Sequence, residues 1–171
     1  MAQLTIENFI SNGIECQFNE AASRDQNYGG CGFFAREMYN FFLSFGLSPE
    51  IYSAVRYGRG DLLLDSEVQF RKNNRMGVSD IVPNHIVVKI NDFVIDSVSA
   101  QIPQDTNLIY CCGSTFRIVS QISLDSLNYM LRFRNGWNSW YPRSYNQELK
   151  KSFSKIKAHF KKIDKLYNKH V

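Results

Sequence analysis

Apolar residues along the chain recur with two periods, one helical and one alternating, and the two mark different segments. From Gly32 to Phe45, Phe34, Met38, Phe41, Phe42 and Phe45 fall near helical spacing, and only Arg36, Glu37, Asn40 and Ser44 are plainly polar. A helix apolar on most of its circumference is a buried one. Gly46 reads as its stop. Thr5 to Ser11 reads as a short helix with Ile6, Phe9 and Ile10 inward, and Gly13 ends it. Leu124 to Phe133 is a third helix, with Ser123 as N-cap and Gly136 past its end. Leu149, Phe153, Ile156, Phe160, Ile163 and Tyr167 form one stripe on a terminal helix otherwise covered by lysine.

The alternating segments predict strands. Ile51 to Tyr57 is one, and Thr115 to Val119 is another. The clearest signal is His85–Ile90, then Asn91-Asp92, then Phe93–Val98. Two β-rich runs around two residues that tolerate left-handed conformations predict a hairpin. Residues 15–30 read as a polar loop and 135–145 as an aromatic one. Most of 58–80 reads as irregular, with a weak segment at Leu62–Phe70. Selectivity is expected in the loops 58–80 and 135–145, because loops carry it on shared scaffolds. The order of elements predicts an α+β fold with a small antiparallel sheet.

Composition fits that picture. The chain has 171 residues, 44% of them hydrophobic and 14% aromatic, enough for one domain with a real core. A main body over 1–148 and a lysine-rich helix over 149–171, docked on that body, are expected. No apolar run approaches the ~20 residues that span a bilayer. The first residues lack the basic-then-apolar pattern of a secretion signal. The expected location is cytoplasmic, or inside another cell after delivery without a cleavable signal peptide.

The net charge of +4 hides a division. Residues 150–171 carry eight lysines and one acid, while the rest of the chain is mildly acidic. A basic amphipathic helix can hold nucleic acid, an anionic membrane surface or an acidic partner. The plainer reading is a docked helix with solvated lysines.

Cysteines stand at 16, 31, 111 and 112. A core-competent chain with no secretion pattern favours reduced thiols. No CxxC pair exists, and adjacent Cys111 and Cys112 suit one tetrahedral ion poorly, so neither metal nor cofactor is expected. Cys111-Cys112-Gly113 reads as a strand end or tight turn with buried thiols, and Cys16 as packing.

Cys31 differs from the other three. It stands at the start of the buried helix, after Gly29 and Gly30 and before Gly32. Helix N-termini present N–H groups and partial positive charge. That field favours the nucleophilic thiolate, and the same N–H groups can hold an oxyanion. The glycines leave room for a substrate backbone. A small buried cysteine packing a helix end is the competing reading.

A thiolate nucleophile needs a base. His159 and His170 lie in the lysine-rich segment, which leaves His85. If Asn91-Asp92 is a two-residue turn, Ile90 faces Phe93 and Val88 faces Ile95. Alternation then puts His85, Val87, Lys89, Val94 and Asp96 on one face. His85 and Asp96 become diagonal neighbours within side-chain reach. Ile86, Val88, Ile90, Phe93 and Ile95 form the other, apolar face. An acid beside the imidazole would fix its tautomer and stabilise its charged form.

The order of helix-leading Cys31, strand-leading His85 and Asp96 on the next strand resembles the papain-like cysteine protease superfamily. It looks closest to the transglutaminase-like and arylamine N-acetyltransferase-like branches. The resemblance covers roughly residues 25–100. It implies a nucleophile-bearing helix on an antiparallel sheet, with Cys31 as nucleophile, His85 as base and Asp96 as the acid orienting His85. Gln26, Gly30 and Gly32 fall where an oxyanion or substrate backbone would be held. Gly32 stands where papain and transglutaminases have Trp, and Gln26 lies five positions before the cysteine where papain's glutamine lies six.

The expected activity is cysteine-dependent hydrolysis of an amide or thioester, as in a protease or deamidase. Acyl transfer or cross-linking by the same triad is one alternative. A non-catalytic module binding through its basic helix is the other.

Overall fold

The structure, a computed structural model, describes residues 31–56, 64–78, 85–96, 100–103, 107–111, 114–134 and 158. Three helices and six strands lie in these segments. Helix α1 spans Cys31–Ser44, α2 Asp65–Asn73 and α3 Leu124–Arg134. The strands are β1 Glu50–Arg56, β2 His85–Ile90, β3 Phe93–Ile95, β4 Ala100–Gln101, β5 Leu108–Cys111 and β6 Ser114–Ile122. The fold is α+β, as the periodicity predicts. The Thr5–Ser11 helix, the aromatic loop and the boundary at 148/149 lie outside the described residues. Of the lysine-rich segment only Ala158, helical and exposed, is described.

Helix α1 buries Phe33, Phe34, Ala35, Met38, Phe41 and Phe42. Its end follows the expected chemistry. Gly46 takes φ +75°, a conformation that would strain a residue with a Cβ. The Gly46 N–H donates to Leu43 O and the Leu47 N–H to Phe42 O, the double closure of a Schellman motif. Leu47 then packs against the core. Helix α3 starts as its sequence suggests. Ser123 Oγ accepts from the Ser126 N–H at 3.1 Å, an N-cap bond.

Every neighbouring pair in the sheet is antiparallel, in the order β4-β3-β2-β1-β6-β5. The β2–β3 hairpin has the predicted register: Val88 pairs with Ile95, Lys89 with Val94 and Ile90 with Phe93. Asn91 takes φ +52° in the turn. With six strands the sheet is larger than expected, and it curls until it is nearly barrel-shaped. Gln101 of β4 spans its two edges. Its Nε2 donates to Tyr110 O of β5, and its Oε1 accepts from Tyr110 N, both at 2.9 Å. One side-chain amide thus does the work of a backbone pairing between edge strands.

The curl divides the core. On the outer face, α1 and α3 cover Ile51, Ile86, Val88, Ile90, Ile95 and Ile122. On the inner face, Ala54, Val87, Val94, Ile109 and Ile118 form a smaller cluster. Lys89 lies on that face only partly buried, over the ring of Tyr52.

Within 58–80, expected to be mostly irregular, the weak segment at Leu62–Phe70 overlaps a helix. Residues 65–73 form α2, whose only buried residue is Val68. A helix so polar carries no apolar stripe to detect. Its ends and partners hold it instead. Asp65 and Glu67 sit in the first turn and Arg71 and Lys72 in the last, each sign complementing the helix dipole. Gln69 Nε2 donates to Ser126 Oγ at 2.7 Å, and Asp65 Oδ1 accepts from the Ser123 N–H at 2.7 Å. Among the described residues, no helix is long and apolar enough to cross a membrane.

Candidate active site

His85 is the first residue of β2, and Asp96 follows the last residue of β3. The hairpin register carries both to one end of the sheet. His85 Nε2 and Asp96 Oδ2 lie 2.9 Å apart. Each residue is 4% exposed, so little water competes for the bond. The imidazole also packs against the Phe116 ring, 5.1 Å between centroids. Ala54, the β1 partner of both His85 and Ile118, is the small residue at that level.

Two buried thiols approach the same ring. Cys31, 3% exposed, is the first residue of α1, and Cys111, 2% exposed, is the last of β5. Both lie close enough to the His85 side chain to act on its protonation. Cys111, His85 and Asp96 offer donor atoms that all lie within 4.8 Å of one another. Cys111 was expected to be a buried thiol at a strand end, and it is, but its part in this cluster was missed. Strands β2 and β5 are three places apart in the sheet, so only the curl brings them together. One signal was available: alternation puts Ile109 and Cys111 on the same face of β5.

Opposing effects set the protonation of these groups. Burial alone would lower the His85 pKa. Hydrogen bonds to Asp96, Cys111 and Cys31, with the charge of a Cys31 thiolate, outweigh it and hold the imidazole well above its ordinary value. Burial pushes the Cys111 thiol up to about 12, and the Asp96 charge adds to the effect, against the pull of His85. Cys111 is therefore a neutral thiol near neutral pH. With Nε2 committed to Asp96, the ring nitrogen left for a thiol is Nδ1. An imidazole anchored by a buried carboxylate and turned toward a helix-leading thiol can take up and return a proton.

Gly32 has a packing role. A Cβ there would meet Leu131 Cδ2 at 3.2 Å and Leu127 Cδ1 at 3.3 Å. Its missing side chain lets α1 and α3 approach closely. Gln26 and Gly30 lie outside the described residues. Set against known proteins, the chain matches no family model, no curated protein and no solved structure.

Proposed function

We propose that the chain is a thiol hydrolase of papain-like arrangement that attacks an amide or thioester carbonyl. One observation carries the reading: the buried His85–Asp96 pair at 2.9 Å, sharing its imidazole with the thiol that opens α1. Cys31 is the nucleophile. Of the two thiols near the ring, it alone leads a helix, whose dipole favours a thiolate. Cys111 faces the Asp96 charge instead.

In this mechanism the Cys31 thiolate adds to the carbonyl carbon, and the carbonyl electron pair becomes an oxyanion. The positive end of the α1 dipole favours that charge. The oxyanion collapses, the bond to the leaving amine or thiol breaks, and the His85 imidazolium gives that group its proton. A thioester on Cys31 remains. His85 then takes a proton from water, and the hydroxide equivalent attacks the thioester. Collapse releases the carboxylic acid and regenerates the thiolate–imidazolium pair. Asp96 keeps Nε2–H fixed throughout and offsets the imidazolium charge. An amine in place of water would give acyl transfer by the same steps.

The test is Cys31 alkylation by iodoacetamide at pH 7, read by mass spectrometry in reduced, chelator-treated protein. Cys31 is expected to react faster than an ordinary thiol, and His85→Ala is expected to remove the advantage. Equal rates in wild type and His85→Ala would defeat the assignment. A reactive Cys31 then justifies an acyl-substrate screen with water and with amines as acceptors, which separates hydrolysis from transfer.

A further inference from the structure

We infer that His85, Asp96 and Cys111 form a binding site for a zinc ion, seated at the inner end of the curled sheet. The three donor atoms already lie within 4.8 Å of one another, and all three residues are buried. They come from β2, the residue after β3, and β5, and converge without a shared sequence motif, which is why cysteine spacing gave no sign of a metal site.

The donor set suits zinc. One imidazole, one carboxylate and one thiolate combine ligands of intermediate and soft character, and zinc accepts all three in a tetrahedron. Zinc–ligand distances of about 2.0–2.3 Å imply donor separations of about 3.3–3.6 Å. The His85–Asp96 separation is 2.9 Å, so that pair opens by a few tenths of an ångström as the ion replaces the proton between them. Cys111 has at most about 1.5 Å to close, given the 4.8 Å limit and tetrahedral spacing. Charge also balances. A carboxylate, a thiolate, a neutral imidazole and a divalent cation sum to zero, the cheapest state for a site buried this deeply. Hard cations such as magnesium and calcium prefer oxygen ligands and fit the set poorly.

Three protein ligands leave the fourth tetrahedral position open. Occupancy puts the ion on Nε2 and leaves the neutral ring's one proton on Nδ1, so no lone pair faces Cys31 to take up its proton. The loaded site is therefore the inactive form of the thiol enzyme. That consequence rests on the catalytic reading; the binding itself does not.

The experiment titrates zinc into reduced full-length protein against a chromophoric chelator. One ion per chain is expected. Cys111→Ala and His85→Ala should each weaken binding at least about tenfold, and Cys31→Ala should leave it unchanged. Cobalt replaces zinc in a parallel titration of the wild type, where a thiolate-to-cobalt charge-transfer band is expected. That band requires no variant to fold. The inference is overturned by wild-type protein that shows no such band, or by a folded Cys111→Ala that binds zinc like wild type. Cys31 alkylation in Cys111→Ala keeps the two readings apart. Reactivity retained with zinc lost supports both. Zinc retention in a Cys31→Ala protein shows that binding survives even where the catalytic reading fails.

Discussion

On the helical side of the sheet, the hairpin side chains are hydrocarbon, Ile86, Val88, Ile90 and Ile95, and buried Ser53 opposite Ile86 adds only a hydroxyl, bonded to Ser120. On the inner side, the hydrocarbon stops one level short. Val87 and Val94 are as buried as anything outside, but the next residues along the same two strands are His85 and Asp96. Strand alternation alone generates this difference, since both faces are drawn from the same hairpin. The outer face gains stability from area removed from water. The inner end gives some of that up. A buried carboxylate and imidazole each lose hydration, and their bond to each other must offset the loss. A polar pair kept in so dry a place, beside two thiols, is what the proposed chemistry would require.

Truncation on the helical side tests this division most strongly. Phe42 is fully buried in the outer cluster, more than two turns along α1 from Cys31. Phe42→Ala is expected to cost about 3–5 kcal/mol of unfolding free energy, measured by urea denaturation in chelator. Cys31 alkylation in the folded variant should match wild type. A loss of reactivity on that scale would mean that the outer face shapes the site as well as supporting it.

At the inner end the effects should reverse in kind. Asp96→Asn keeps the shape and removes the charge facing His85. The expected stability loss is about 1.5–3 kcal/mol, the range for a hydrogen bond to a charged group. Cys31 reactivity should fall toward that of His85→Ala, because the imidazolium loses the carboxylate that favours it. Wild-type reactivity in a folded Asp96→Asn protein would reduce the acid to a packing role.

Legibility in the sequence follows the same division. The hairpin could be read to the residue because a two-residue turn fixes register, and alternation then fixes faces. His85 beside Asp96 followed from local rules alone. Helix α1 was legible because it is apolar almost all round. Burial of the His85 face was not legible, since it depends on β4 and β5 meeting through Gln101, a closure with no local signal. Cys111 was missed for the same reason. It reaches the site from the far end of the sheet order, and only the global curl makes it a neighbour. Helix α2 showed only as the weak segment at Leu62–Phe70 for the opposite reason: its contacts are polar and lie at the rim, so periodicity carries little trace of them.

The smallest expected effect lies at that rim. The Lys72 ammonium hydrogen-bonds Asp125 across α2 and α3, and with Gln69 it holds the Asp125 carboxyl below its ordinary range. A folded pKa below the unfolded one contributes stability above the unfolded value and loses it as pH falls through the folded value. The window is therefore acidic, below the ordinary carboxylate range. Asp125 is fully exposed, so water and salt screen the pair, and its effect on unfolding should be too small to detect. The shift itself should be visible. NMR titration is expected to place the Asp125 carboxyl low in wild type and return it toward the ordinary value in Lys72→Gln, with the urea midpoint unmoved. A clear drop in that midpoint would show that the α2–α3 rim shares the stabilising work assigned to the hydrocarbon beneath it.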